Sequence, residues 1–269
     1  MFPFPRPDHI AVVELFGPIA GGHRVAELVR ILGDLERNMA ARAVLVDVDC
    51  PGGSVAGSDH LYLALRRLAA QKPVVAFVRG MAASGGYLAI CAARRIVALP
   101  TAVIGSIGVL SMRPIVSDLL SRLGVRMTVQ KRGPYKDMWS PFREPTKEEE
   151  AREQALLDEF YDRFVRSVAD ARGMADERVR ELATGEVFTG ARALETGLVD
   201  ETGDFETAVA AAMRLGAVER RLVTYRPRRT LRERLLGGFA AEVSLALEDA
   251  LWRSAYGGPE FRERPPGAR

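Results

Sequence analysis

Short apolar runs alternate with stretches of helical spacing along the first half of the chain. Runs rich in Val, Ile and Ala, which favour buried strands, occur at 9–19, 41–50, 72–78 and 95–110. Apolar residues recur at helical spacing in the stretches between them, at 23–39, 58–70 and 84–93. Because strands that alternate with helices are joined by crossover connections, this pattern predicts an α/β fold with mostly parallel strands.

The pattern continues less regularly through the second half. Residues 114–124 have the spacing of a helix, and 125–133 read as a strand. A long helix is predicted after the loop that ends near residue 145, because Thr146 and Glu149 form a capping-box pattern ahead of an apolar stripe. The segment 187–203 predicts a strand, a short helix and a C-cap at Gly197.

The composition changes near residue 218. The stretch 219–234 is dense in arginine, and apolar residues then recur every fourth position up to Leu251. We therefore predict one domain over 1–218 and a basic, amphipathic, helical extension over 219–269. Such a helix packs on its own domain or a neighbouring subunit, or it lies on an anionic membrane surface, and both interpretations stay open.

Overall composition excludes several classes of protein. The 269 residues are 48% hydrophobic and 27% charged with a net charge of +3, which suits a globular protein and gives no sign of nucleic-acid binding. Two cysteines do not make a disulfide framework, and the three histidines lack metal-ligand spacing, so we predict no metal site. No signal peptide or long apolar span stands out, which predicts a soluble cytoplasmic or peripheral membrane protein as far as this chain goes.

One turn combines features of a catalytic site. In "RGMAASGGY", Ser84 stands where a buried strand meets a helix. A serine there is either an ordinary helix cap or a nucleophile. If it is a nucleophile, the N–H of Gly85 can stabilise an oxyanion, with a second donor from Gly52 or Gly53 in the turn that ends the preceding strand.

The base that would activate this serine is less obvious. Histidine is the usual base, but His9, His23 and His60 do not lie in site-like stretches. Lys136, in the loop "KRGPYKDMWSPF", does. A lysine acts as a base only when its amine is neutral, which requires surroundings that lower its pKa by about 3 units from about 10.4. Ser106 is a candidate hydroxyl to orient the amine.

These features occur together in one known family. The motifs "DCPGGSV", "GMAASGGYLAI", "GSIGVL" and "KRGPYKDMWSPFREPTKEE", in this order, and a weaker fifth, "VFTGARALETGLVDETGD", resemble the single-repeat bacterial signal peptide peptidases of the SppA type. The resemblance implies a ClpP/crotonase-like spiral of parallel strands and helices, and serine endopeptidase activity. Ser84 matches the nucleophile, Lys136 the general base and Ser106 the residue that positions it. Gly53 and Gly85 match the oxyanion donors.

The family also implies substrates and partners. The expected substrates are signal peptides and other extended, apolar segments, with Gly52, Gly86 and Tyr135 as candidate contacts. No cofactor is implied. Family members form rings or domes in which neighbouring copies share the dyad, so we expect no hydrogen bond between Ser84 and Lys136 within one chain. The resemblance also implies membrane association, although the family's usual N-terminal anchor has no counterpart in this sequence. Either the protein is a soluble or peripheral relative or the anchor has been removed, and the basic C-terminal segment is a candidate for peripheral membrane contact in its place.

Three other functions share parts of this pattern. A crotonase-type acyl-CoA enzyme would share the fold and the paired N–H donors but would not use Ser84 or Lys136. A non-catalytic ring scaffold would not need these side chains either. A Ser-His-Asp peptidase would require a histidine in the site. Cys50, where serine is more usual in the family, is a small departure that leaves the catalytic positions intact.

Overall fold

The computed structural model describes residues 7–20 and 22–227. The strands in this part of the chain are β1 (His9–Phe16), β2 (Ala41–Cys50), β3 (Val74–Ala83), β4 (Arg95–Ala98), β5 (Val103–Gly105), β6 (Val187–Thr189), β7 (Glu201–Thr202) and β8 (Leu222–Tyr225). The helices are α1 (His23–Arg37), α2 (Val55–Ala69), α3 (Gly85–Ile90), α4 (Ser117–Arg122), α5 (Lys147–Arg172), α6 (Asp176–Leu182), α7 (Gly190–Thr196) and α8 (Phe205–Gly216).

The strands form one mixed sheet. Its main path runs β6-β5-β3-β2-β1-β8, and β4 pairs with both β3 and β7. Every pairing is parallel except that of β5 with β6. The first half of β3 pairs with β4, whereas its last three residues pair with β5. The predicted α/β class with mostly parallel strands is therefore confirmed.

Both faces of the central strands are buried, which explains why their sequences are almost continuously apolar. Val46 and Ala76 belong to the core cluster on the face that α1, α2 and α3 cover. Leu45 and Phe77 belong to the cluster on the opposite face, which also contains Ala208 and other residues of α8. Two helical layers around one sheet hold the ends of β2 and β3 in fixed register.

The helix α5 has a well-defined start and end. Thr146 and Glu149 form the predicted capping box, and Gly173 ends the helix in the left-handed conformation. Apart from Glu149, its buried residues all lie in its second half, from Phe164 to Ala169. The C-terminal half of α5 therefore packs against the core. The loop that contains Lys136 leads into the N-terminal end of this helix.

Three sequence predictions need correction or extension. The strand predicted over 125–133 is wrong, because these residues are exposed and pair with no strand among the described residues. The strand β8 extends the sheet beyond residue 218, where we placed the end of the first domain. The rest of the predicted extension, from residue 228, lies outside the described residues, so its helix and the division into two domains stay predictions.

None of the helices among residues 7–20 and 22–227 combines the length and the apolar character needed to cross a bilayer.

Candidate active site

Ser84 occupies a strained turn between β3 and α3. Its φ of 50° and ψ of −126° lie in a region that side-chain-bearing residues rarely adopt. The neighbouring strand fixes this conformation, since the Ser84 N–H donates to the Gly105 carbonyl at 2.8 Å. Strain of this kind is found at catalytic serines on sharp strand-to-helix turns, which present the hydroxyl away from the sheet.

Ser84 is not a side-chain cap for α3. A capping serine accepts a hydrogen bond from an N–H two or three residues later, as Ser54 does from Gly57 at 3.2 Å. Ser84 stands at the N-cap position, yet its side chain makes no such bond. Among the described residues the hydroxyl has no hydrogen-bond partner at all, so the cap interpretation of this serine is wrong.

The glycine turn after β2 packs directly against this serine. A Cβ on Gly52 would lie 2.7 Å from the Gly85 nitrogen and 3.0 Å from the Ser84 Cβ. The turn is held from its other side by Ile19, whose N–H donates to the Gly52 carbonyl and whose carbonyl accepts from the Ser54 N–H. Only glycine fits here, because the backbones approach too closely for a side chain.

Two backbone donors are left free in this arrangement. A Cβ on Gly85 would lie 3.5 Å from the Gly53 nitrogen, so the two predicted oxyanion donors are neighbours in space. Neither the Gly53 N–H nor the Gly85 N–H donates a hydrogen bond to any group in the described part of the chain. Two unpaired N–H groups beside a serine hydroxyl can stabilise the negative oxygen of a tetrahedral intermediate.

Two side chains lie beneath the turn, and one of them, Ser58, was not identified from the sequence. Ser58 is buried and donates to the Ser54 carbonyl at 2.9 Å, and its Oγ fills the space that a Gly85 side chain would need. The Cys50 thiol packs against Gly86 and accepts from the Gly52 N–H at 3.4 Å. Burial raises the pKa of Cys50, so it is a packing thiol. Its position four residues after the helix cap Ser54 was the sequence feature that could have identified Ser58 as a residue of this turn.

Ser106 lies beside Ser84 on the adjacent strand. Ala83 pairs with Gly105, so the two serines occupy equivalent positions just beyond strands whose spacing is about 5 Å. Ser106 also has a positive φ, of 48°, and its N–H donates to the Glu186 carbonyl. Its hydroxyl has no partner among the residues described. Ala217, the other non-glycine residue there with positive φ, simply ends α8.

Lys136 lies in a separate loop ahead of α5. Consecutive turns from Gly133 to Ser140 shape this loop, and Lys136 is exposed there. Within the described chain its amine makes no hydrogen bond to either serine and no ion pair. The structure thus brings Ser84, Ser106 and the glycine turns together, while the predicted base is not hydrogen-bonded to them, as we expected for one chain.

The candidate substrate contacts differ in their surroundings. Gly52 lies under Ser84, and Gly86 faces Cys50, whose carbonyl would be 2.5 Å from an added Cβ. Tyr135 contacts α5 instead: its hydroxyl donates to Glu148, and Arg152 stacks on its ring at 4.0 Å. A role for any of them in substrate binding stays a prediction.

The histidine alternative finds no geometric support. Both ring nitrogens of His9 are engaged, with the Pro7 carbonyl and the Tyr225 hydroxyl, each at 3.0 Å. His23 begins α1 and His60 lies within α2. None of the three forms a hydrogen bond with Ser84 in the described chain.

Large apolar side chains are exposed along the segment that follows Ser106. Those at least 39% exposed between residues 110 and 142 are Leu110, Met112, Leu119, Leu123, Val125, Met127, Val129, Trp139 and Phe142. Exposed apolar side chains that lie together are typical of interaction surfaces. This surface includes the loop that carries Lys136.

The chain is similar to known peptidases. Residues 66–219 match the model of peptidase family S49. A putative protease from Synechocystis sp. is 39% identical over 232 residues, which are 85% of this chain and 83% of that protein. A putative signal peptide peptidase SppA from Enterococcus faecium is 36% identical over 66% of this chain and 52% of its own length.

A solved structure supports the fold alone. A mutant of the 1510-N membrane-bound stomatin-specific protease covers 83% of this chain and 100% of its own, with a TM-score of 0.56 and 16% identity. Together with the family match, these findings confirm the resemblance to SppA-type peptidases that the motifs predict.

Proposed function

We propose that this chain, which belongs to peptidase family S49, is a serine endopeptidase that uses Ser84 as its nucleophile and Lys136 as its general base. The observation that carries the proposal is the strained turn at Ser84. Its hydroxyl is not used as a cap, and the unpaired N–H groups of Gly53 and Gly85 lie beside it. Acyl transfer by a serine uses a hydroxyl that is free to react and N–H donors for the oxyanion, and this turn offers both.

The proposed reaction balances with these groups alone. The neutral Lys136 amine takes the proton of Ser84 while Oγ bonds to the peptide carbonyl carbon, and Gly53 and Gly85 stabilise the oxyanion. The carbon–nitrogen bond then breaks as the lysine returns the proton to the leaving amine. A water molecule next gives a proton to Lys136 as its oxygen attacks the acyl ester. Lys136 returns this proton to the Ser84 Oγ as the ester bond breaks, and the product acid then loses its own proton to solvent.

We further propose that the dyad forms between neighbouring copies in a ring or dome. Lys136 is exposed in the single chain, but a neutral lysine needs a desolvated environment, which a second copy would supply. The exposed apolar surface around the Lys136 loop supports such an assembly. Ser106, adjacent to Ser84, would accept a hydrogen bond from the incoming amine and orient it.

The proposed substrates are signal peptides and other extended, apolar segments, and no cofactor takes part. The backbone of residues 106–110 follows β5 without entering a strand, so an extended peptide could pair with it. Peripheral membrane contact through residues beyond 227 is also proposed, from the arginines and apolar repeat of that sequence.

Labelling with a fluorophosphonate tests the dyad. The rate of labelling is measured from pH 6 to pH 10 for the wild type, Ser84→Ala and Lys136→Ala. Lys147→Ala is the matched control, since Lys147 is an exposed lysine at the start of α5. We expect both active-site variants to lose labelling at neutral pH and the control to keep it. If Ser84→Ala labels as well as the wild type, the crotonase or scaffold alternative replaces the proposal.

Mixing the two inactive variants tests whether the site is shared. Assemblies that contain both Ser84→Ala and Lys136→Ala chains place an intact serine opposite an intact lysine, so labelling should return in part. Failure of the mixture to label, when native mass spectrometry shows mixed assemblies, would contradict a dyad formed between copies.

A further inference from the structure

The loop that carries Lys136 is tied to α5 through Tyr135, which contacts Glu148 and Arg152, and through Arg143. The Arg143 Nε and Nη2 donate to the two Asp137 carboxylate oxygens, each at 3.0 Å, and Nη2 also reaches the Asp137 carbonyl at 3.2 Å. The same guanidinium contacts Glu149, with Nη1 donating at 2.8 Å. Arg143 therefore joins the residue next to Lys136 to the first turn of α5.

The other end of this bridge is rigid. Glu149 is 4% exposed and completes the capping box of α5 by accepting from the Thr146 N–H at 2.9 Å. Arg143, followed by the Thr146 N–H, lowers the pKa of Glu149 to about 2, so its carboxylate is ionised throughout the neutral range. A charged, buried carboxylate gives the loop a fixed attachment point.

Asp137 and Glu148, two carboxylates in the loop of Lys136 and at the start of α5, pair with cations other than Lys136. Asp137 pairs with Arg143 and also with Lys131, and these two neighbours hold its pKa well below its usual range. Glu148, on the next turn, pairs with Arg152 at 2.9 Å. The Lys136 amine, the adjacent side chain, has no carboxylate partner within the described residues.

The Glu144 side chain completes the set of charged groups near the loop. It is exposed, and it contacts Arg143 only through its backbone carbonyl, at 3.1 Å. Arg132, also exposed, adds a positive charge on the other side of the turn. Asp137 is the carboxylate next to Lys136 in sequence, and its charge is paired with Arg143 and Lys131.

We propose that Arg143 is a positioning residue for Lys136, which holds the loop and keeps the Asp137 carboxylate from pairing with the neighbouring amine. The inference rests on the proposed role of Lys136 as a base. A carboxylate paired with that amine would favour its charged form, which cannot accept the Ser84 proton. Arg143 and Lys131 both pair with the Asp137 carboxylate, so this carboxylate does not pair with the Lys136 amine.

A purely structural role for Arg143 would change how much protein folds or assembles. It would not change the pH at which labelling reaches half its maximum rate, because that midpoint does not depend on the amount of active protein. The midpoint therefore separates the two roles.

The experiment measures the fluorophosphonate labelling midpoint between pH 6 and pH 10 in the full chain. For Arg143→Gln we expect it to rise by about 0.5–1 pH unit, the effect of one uncompensated nearby carboxylate, and for Lys131→Gln by less. Arg143→Lys keeps a positive charge, so its labelling midpoint should rise by no more than half as much as that of Arg143→Gln. Adding Asp137→Asn to Arg143→Gln should bring the midpoint back toward wild type.

A matched control removes a different arginine–carboxylate pair. Arg220 contacts Glu206 at 2.8 Å at the start of α8, and both are exposed. Arg220→Gln should leave the midpoint unchanged.

The results distinguish this inference from the function it rests on. Wild-type midpoints for Arg143→Gln and Lys131→Gln, with labelling that still requires Ser84 and Lys136, overturn the inference and leave the dyad intact. Should Arg143→Gln fail to fold, Lys131→Gln decides alone, by the same criterion. If Lys136→Ala labels as fast as the wild type, Lys136 is not the base, and both the proposed dyad and this inference are contradicted.

Discussion

Replacing Gly86 by alanine tests how tightly the catalytic turn is built. Gly86 lies in the first turn of α3, and an added Cβ would lie 2.5 Å from the Cys50 carbonyl oxygen. An ordinary contact begins at 3.4 Å, so the helix or the end of β2 must move by about 0.9 Å. No side-chain rotation can relieve this contact, because the obstacle is backbone.

Such a shift acts directly on the proposed oxyanion donors. The Gly85 N–H precedes Gly86, and a displacement of about 1 Å in a catalytic group can cost on the order of 100-fold in rate. Overpacking also costs about 1–3 kcal/mol of stability, offset by roughly 0.5–1 kcal/mol from the better helix propensity of alanine. We expect Gly86→Ala to be about 1–2 kcal/mol less stable and to label about 100-fold more slowly.

The measurements are the second-order rate of fluorophosphonate labelling and urea unfolding. Gly33→Ala is the matched control, since Gly33 is also a helix residue, in α1, but an added Cβ there meets nothing within 4 Å. It should label like the wild type and be equally or slightly more stable. Labelling of Gly86→Ala within twofold of the wild type, with unchanged unfolding, would refute the reasoning.

Three further predictions concern stability. Ser84→Ala should change the unfolding free energy by less than about 0.5 kcal/mol, while Ser54→Ala should cost about 1 kcal/mol because it removes a cap; urea titration of both checks this. Tyr87→Phe should cost about 1–3 kcal/mol in the same titration, because the buried hydroxyl donates to the Leu198 carbonyl at 2.8 Å and would leave it unpaired. The pKa of Glu149 is lowered from 4.5 to about 2. The contribution of its ionised carboxylate to the free energy of unfolding is therefore complete above pH 4.5 and is lost as the pH falls toward 2. The difference in unfolding free energy between wild type and Glu149→Gln should therefore shrink over that range, and a constant difference would contradict the assignment.

The elements that local patterns encode were predictable from the sequence. The apolar runs of β1, β2 and β3 identify strands buried on both faces, and the capping box at Thr146 and the C-cap at Gly197 mark helix ends. The strand-to-helix turn at Ser84 was predictable in the same way, because its small residues and its place between strand and helix are visible in eleven consecutive letters, "GMAASGGYLAI".

Features that depend on distant partners were not predictable. The segment 125–133 has a strand-like sequence, but a strand needs a neighbour, and the described chain provides none for it. The pairing of β8 with β1 joins residues about 210 positions apart, which no local pattern indicates. Ser58 escaped attention because a serine inside a helix has many ordinary uses, and only its contact with Gly85 distinguishes it.

The positive φ angles of Ser84 and Ser106 favour the proposed activity at the expense of thermal stability. Glycine adopts a positive φ without strain, so Ser84→Gly and Ser106→Gly should each raise the melting temperature while abolishing or weakening labelling. A laboratory selection for thermal stability alone would therefore drift toward glycine at both positions and discard the enzyme. A selection that also demands turnover would have to find its stabilising changes elsewhere in the chain.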